Sequence, residues 1–149
     1  NVLDGGAPFY CTYGTADGKY VAVGCIEPRF FRNLLTVLGL DTDLARQQYD
    51  NSAWPAIRGM VADRFIQKSQ KEWVQLANGI DACLTPVLSP REALQDDHMR
   101  FRAVNKQVFG ISQPASAPRL SRTPSAISGP PGGVQTDLQS ILKKWSALV

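Results

Sequence analysis

The sequence predicts an α+β fold in which antiparallel strands are surrounded by helices. Two runs rich in Tyr, Val, Thr and Cys flank an Asp-Gly turn near the start of the chain. Apolar residues then recur at helical spacing, in segments opened by Pro or Ser and closed by Gly. A composition of 44% hydrophobic and 19% charged residues is that of a globular chain with a core.

In order, Phe9 to Thr15 and Lys19 to Cys25 read as two antiparallel strands joined at Ala16-Asp17-Gly18, because Asp-Gly is among the strongest short hairpin signals. Glu27-Pro28 opens a helix, since proline suits the first helical position, where no amide donor is needed. Phe30, Phe31, Leu34, Leu35 and Leu38 recur at helical spacing, and Gly39 stops the run. A short helix follows between Thr42 and Tyr49, started by Thr42 or Asp43. From Trp54 to Lys68, Pro55 marks another helix start while Ile57, Met60, Val61 and Phe65 define an apolar stripe. Ser69 and Glu72 have capping-box spacing for the next helix; Trp73, Leu76 and Ala77 form its buried face, and Asn78-Gly79 its stop. Ile80 to Thr85 reads as a buried strand that Pro86 ends or confines to an edge. Ser89 and Glu92 repeat the cap for one more short helix, and Val104, Val108 and Phe109 suggest a last hairpin about Asn105 and Lys106.

The composition then changes. Residues 110–133 hold five Pro, four Gly and five Ser, an extended linker rather than core material. Beyond it Thr136 and Gln139 form a capping pair, and Leu138, Ile141, Leu142 and Trp145 fall at i, i+3, i+4 and i+7. An amphipathic helix on a long leash needs a surface to dock on. The expected organisation is a small α+β domain over 1–110, a linker over 111–134 and a docking helix over 135–149.

The 149 residues suffice for one core, since domains of this size bury roughly two-thirds of their unfolded surface. The net charge of +3 sits in the tail: residues 1–110 carry 12 basic and 12 acidic side chains, residues 111–149 carry 4 and 1. A neutral body argues against a nucleic-acid or membrane partner, and no apolar run approaches the about 18 residues a spanning helix needs. Cys11, Cys25 and Cys83 are an odd set without C-x-x-C spacing and read as reduced thiols of a cytosol-like compartment. A chain starting at Asn1 rather than Met suggests a piece of a longer protein.

Little catalytic chemistry is visible in the residues themselves. His98, the one imidazole, lies among Asp96, Asp97 and Arg100 and reads as solvated or helix-capping. A single His also makes most metal sites improbable. No G-x-S-x-G or Cys/His signature supports nucleophilic catalysis, and the three cysteines read as packing residues. Gly5 and Gly6 permit a sharp turn or close backbone approach rather than a phosphate loop. Arg119 and Arg122 could pair with an anion, although solvated linker arginines are commoner. Glu27 is the acidic residue that stands out, after the apolar run Tyr20 to Ile26 and directly before a helix. Spacing alone favours a helix cap there, stabilised by the dipole.

Three strings carry a resemblance. They are N-V-L-D-G-G-A-P-F-Y from Asn1 to Tyr10, A-V-G-C-I-E-P from Ala22 to Pro28, and D-A-C-L-T-P-V-L from Asp81 to Leu88. With T-A-D-G at Thr15 to Gly18, Phe30, Trp73, and A-P-R-L-S-R-T-P at Ala117 to Pro124, they resemble the family III CoA-transferases, in particular their α-methylacyl-CoA racemase branch. The resemblance implies that the chain is the C-terminal portion of an enzyme more than twice as long. It implies a large Rossmann-like domain to which both ends of the enzyme contribute, a smaller α+β domain over 1–110, and two subunits interlocked as a homodimer. The tail helix would pack back onto the large domain. The reaction so implied inverts the carbon next to an acyl-CoA thioester carbonyl by removing a proton from one face and returning one to the other. No cofactor and no metal are implied, coenzyme A being part of the substrate. The acid/base pair of the family, a His and an Asp, belongs to the portion before Asn1, so this chain alone would be inactive; His98 does not match the family's histidine.

Carried over by position, Glu27 matches a family glutamate that approaches the catalytic His and orients it, Tyr10 an active-site-facing tyrosine, and Cys83 a cysteine whose job is packing. Two strings depart from the family pattern: Gln135-Thr136-Asp137-Leu138 stands where many relatives have H-T-x-E, and Phe101-Arg102-Ala103 only loosely matches A-R-G. A CoA-transferase working through an acyl-aspartyl intermediate, and a binding or dimerisation module without activity, stay open beside the racemase. Bacterial relatives are cytosolic and some eukaryotic ones peroxisomal or mitochondrial; Ser146-Ala147-Leu148-Val149 is not a standard peroxisomal tripeptide.

Overall fold

The computed structural model describes residues 1–127, 129 and 137–146. It divides into two units, 1–88 and 89–149, so the expected boundary at 110 falls inside the second unit, in the turn of a hairpin.

The first unit is built on the Asp-Gly hairpin. Strands β1 (Tyr10–Gly14) and β2 (Tyr20–Gly24) pair antiparallel with Cys11 opposite Val23 and Tyr13 opposite Val21. A third strand, β3 (Leu84–Val87), pairs antiparallel with the other side of β2. The period of two separates the faces. Tyr13, Val21 and Val23 are buried, whereas Thr12, Gly14 and Tyr20 are exposed and Tyr10, Ala22 and Gly24 half-buried.

Helix α1 (Pro28–Leu38) buries Phe31, Leu34, Leu35 and Leu38 and ends as expected at Gly39, whose left-handed backbone (φ 65°) returns its amide to the carbonyls of Leu35 and Thr36. Thr42–Gln47 is a 3-10 turn rather than an α-helix, capped by the Asp41 carboxylate on the amide of Asp43. Helix α2 (Trp54–Phe65) buries Trp54, Ile57, Val61 and Phe65. Met60 is exposed, so it does not belong to that stripe; the helix turns on Ile57, Val61 and Phe65, four residues apart, and Met60 falls beside them. Helix α3 (Gln70–Leu76) has the full capping box: Ser69 accepts from the amide of Glu72, while Glu72 accepts from the amide and hydroxyl of Ser69. Trp73 is buried, but Leu76 is 47% exposed, contrary to the expected apolar face. A seven-residue helix offers the core only one turn's worth of face, and Gln70 and Trp73 fill it.

Aromatic rings dominate the core. Phe9 meets Phe31, Tyr49 and Trp54 at centroid separations of 5.6, 5.4 and 5.9 Å, and Phe65 lies between Tyr13 and Trp73 at 5.2 and 5.4 Å. Tilted, edge-on and stacked geometries of this kind add to the apolar burial itself.

The strand expected over 80–85 begins later. Ile80 is exposed, Ala82 is buried and Cys83 has a left-handed backbone (φ 43°), so the chain must finish turning before it enters the sheet at Leu84. Pro86 stays in the strand because β3 lies at the sheet edge.

In the second unit, α4 (Pro90–Ala93) carries the Ser89–Glu92 capping box and α5 (Asp97–Phe101) is capped by the Asp96 carboxylate on the amide of Met99. The last hairpin is present, but it turns at Phe109–Gly110 between β4 (Asn105–Val108) and β5 (Ile111–Pro114), not at Asn105–Lys106. Both turn residues have positive φ, 56° and 74°, as a tight two-residue hairpin requires. Strand β5 thus occupies the start of the segment expected to be linker. Helix α6 (Leu138–Ser146) begins after Asp137, whose carboxylate accepts from the amide of Ser140 at 2.9 Å. The expected cap Thr136, most of 128–136, and 147–149 lie outside the described residues. Leu138, Ile141, Leu142 and Trp145 are exposed.

Candidate functional site

The sequence-predicted site begins where β2 hands over to α1. Cys25 is anchored twice: its amide donates to the Phe9 carbonyl at 2.8 Å and its thiol to the Ala82 carbonyl at 2.8 Å. Gln48, 1% exposed, follows the 3-10 turn and sends its side-chain Nε2 to the carbonyls of both Cys25 and Ile26, each at 2.8 Å. The Tyr49 hydroxyl donates to the same Ile26 carbonyl at 2.5 Å. Trp54 Nε1 in turn donates to the Gln48 carbonyl at 2.8 Å.

Glu27 comes next, in extended backbone (φ −74°, ψ 138°), and its carbonyl accepts from the amides of Phe30 and Phe31. The side chain is exposed and makes no capping hydrogen bond. The cap reading that spacing favoured is therefore wrong. Pro28 at the first helical position is compatible with a cap, as Pro90 is beside Ser89, but the Glu27 side chain turns away from the first amides and its carboxylate is left facing solvent at the helix start.

Opposite Glu27 in the electrostatics of this corner stands Cys83. Burial raises its thiol first, the Asp81 and Glu27 carboxylates raise it further, and Arg29 opposes them. Burial likewise pushes Cys25 up to about 12, with Cys83 and Glu27 adding to it. Cys25 is buried and inert, which fits its reading as a packing residue. Cys83 and Cys11 are half-buried against the core edge rather than inside it.

Tyr10 occupies a different place. It lines an open cleft of about 620 Å³ on the outer side of β1 and β2, with Thr12, Ala22, Gly24, Thr85 and Arg58. Its ring covers Gly24, where an added Cβ would lie 3.8 Å from the ring edge. Arg58 forms one wall and ties the first loop to α2, donating to the carbonyls of Gly5 at 2.5 Å and Gly6 at 2.8 Å and to the Cys11 sulfur at 3.4 Å. The glycines do what the sequence suggested: Gly5 takes a positive φ of 86°, and a Cβ on Gly6 would collide with the Asn1 carbonyl. The cleft includes Gly24 but not Glu27, three residues further on, so the two candidate residues share one strand end without sharing the cavity.

His98 lies exposed on α5, in the second unit. Arg119 is held to the Ala103 carbonyl at 2.8 Å. Among the described residues no group of three or more His, Cys, Asp or Glu side chains could hold a metal ion, and no helix is long and apolar enough to cross a membrane.

Gln48, Tyr49 and Arg58 were missed by sequence reasoning. Two are buried or half-buried polar residues whose partners are backbone carbonyls far away in sequence, and periodicity carries no signal of such pairs.

The strings that frame this strand end, this cleft and β3 belong to one class of protein. The chain belongs to the CoA-transferase family III, whose family model matches residues 1–136. Within that class it is similar to alpha-methylacyl-CoA racemase of Mus musculus, 47% identical over 129 residues, and of Homo sapiens, 44% identical over 130. Each alignment covers 86% of this chain and 34% of the relative. A CaiB/baiF CoA-transferase family protein of Caenorhabditis elegans is 37% identical over 91 residues, 61% of this chain and 25% of that protein. The chain thus spans about a third of the length of the curated relatives it matches.

Proposed function

We propose that this chain forms the C-terminal part of an enzyme that epimerises 2-methylacyl-CoA thioesters, in which Glu27 orients the catalytic base. The observation that carries the reading is Glu27, held through its backbone at the helix start with its carboxylate exposed and unused by its own helix, in a chain 47% identical over 129 residues to a racemase. In the proposed reaction a base removes the α-proton. The C–H electron pair moves to the thioester carbonyl oxygen as an enolate, and an acid on the opposite face returns a proton to carbon. The His and Asp that exchange these protons are supplied by chain preceding Asn1. Glu27 holds the imidazole in one orientation and favours its protonated form. Tyr10 faces the acyl thioester from the sheet cleft. The reaction uses no cofactor or metal, and the active unit is a homodimer in which the N-terminal half of the enzyme is the partner of this segment. Fatty acid metabolism and a cytoplasmic, or in a eukaryote peroxisomal or mitochondrial, setting follow from the same reading.

The test is α-proton exchange of a 2-methylacyl-CoA in deuterated water, followed by proton NMR, with the full-length protein. We expect exchange by that protein, none by this chain alone, and a fall of about 10-fold or more for Glu27→Gln in the full-length protein. An unchanged rate in the variant would remove Glu27 from the mechanism. The family membership itself supports a second reading, a CoA-transferase. Absence of α-proton exchange, with CoA moved to an added carboxylic acid, would put that reading first.

A further inference from the structure

We propose that Gln48 is the positioning residue that aims the Glu27 carboxylate; the inference rests on the role given to Glu27 above. The amide of Gln48 donates to two successive carbonyls, those of Cys25 and Ile26. These oxygens belong to the peptide planes before and after Ile26, so one side chain fixes both. The second plane sets the φ of Glu27 and hence the direction of its Cα–Cβ bond. On the other side, the Glu27 carbonyl is held by the first amides of α1. The residue is gripped from both ends while its side chain stays exposed.

Packing alone does not supply this grip. Ile26 is 36% exposed and gives the segment no apolar anchor, whereas Gln48 is 1% exposed. Its Oε1 is buried without a hydrogen-bond partner among the described residues. An apolar side chain of the same shape would avoid that unpaired acceptor, so burial of the amide is explained by what its donors hold. The Tyr49 hydroxyl on Ile26 and the Trp54 indole on the Gln48 carbonyl lock the clamp against the core.

Gln70 offers a matched control. Its Nε2 also bridges two carbonyls, of Tyr20 at 2.6 Å and Val87 at 3.0 Å, at the opposite end of β2 from Glu27.

In the full-length protein, Gln48→Met keeps the volume and removes both donors. We expect kcat for α-proton exchange to fall about 10-fold with KM within about 2-fold. In a Glu27→Gln background the same change should lower kcat by less than about 2-fold further, because the two act as one unit. Hydrogen–deuterium exchange of the 24–31 segment, read by mass spectrometry, should accelerate in Gln48→Met and stay unchanged in Gln70→Met. Multiplicative losses in the double variant, or unchanged exchange of the 24–31 segment, would overturn the proposal. If the full-length protein shows no α-proton exchange at all, the racemase reading fails and the deuterium exchange alone decides whether Gln48 holds Glu27. Should Gln48→Met fail to fold, Gln48→Asn, one methylene shorter and able to reach one carbonyl, replaces it in every arm.

Discussion

Cys25 and Glu27 are two residues apart and live in opposite surroundings, one thiol in the core and one carboxylate in water. The buried thiol makes a prediction about alkaline pH. Burial raises Cys25 from about 9 to about 12, so above pH 9 an unfolded chain releases a proton that the folded chain still holds. The contribution of this thiol is therefore constant below pH 9 and is lost between 9 and 12. Burial also raises Tyr13, which extends the loss further up the scale. We expect denaturant midpoints to drop across that window, and a Cys25→Ala variant to show a shallower drop than the parent chain. Equal slopes would mean that the thiol ionises as readily folded as unfolded. At this scale spacing led to a helix cap at Glu27 that does not form, because the presence of a cap depends on where a side chain turns. Gln48 was illegible for a related reason: nothing in a short polar run tells a clamp from a surface loop until Cys25 and Ile26 are folded against it.

Among the elements, those fixed by local chemistry were the legible ones. The Asp-Gly hairpin, the Pro28 start and Gly39 stop of α1, and the capping boxes of α3 and α4 all form where backbone rules demand. What the sequence hid depends on distant partners. The register of β3 is set by β2 some 60 residues earlier in the chain, and the final turn by a left-handed Phe109 that turn statistics do not favour. The α3 cap can be tested directly. Hydrogen bonds from Ser69, side chain first and then backbone, hold the Glu72 carboxyl below its ordinary range. That contribution is present above the ordinary carboxylate range and is lost as pH falls through the lowered value. Ser69→Ala should lower stability by about 1 kcal/mol near neutral pH and also soften the acid side of the stability profile. Denaturant melts at pH 7 and at mildly acidic pH would read both effects, and a variant as stable as its parent would show that the box contributes nothing.

For the molecule as a whole, the core is unevenly placed. Among the described residues every buried hydrophobic side chain lies between Ala7 and Ala82, inside the first unit. A chain cut to residues 1–88 should accordingly unfold in one cooperative step within about 1 kcal/mol of the full 149 residues. A non-cooperative melt would show that the second unit is needed to hold the first together. The composition change near residue 110 did not mark this division, since polar, Pro-rich sequence still supports the β4–β5 hairpin.

The three tryptophans are distributed so that each reports on one of these regions. Trp54 is buried with its indole on the Gln48 carbonyl, Trp73 is buried against Phe65 with its indole on that residue's carbonyl, and Trp145 is 69% exposed on α6. A soluble quencher should therefore dim Trp145 first and leave the two buried indoles bright. With single tryptophans retained in turn, emission from Trp54 follows the clamp beside Glu27, that from Trp73 follows the α2–α3 junction, and a blue shift of Trp145 marks the moment any surface comes to cover the last helix. The chain is, in optical terms, already labelled.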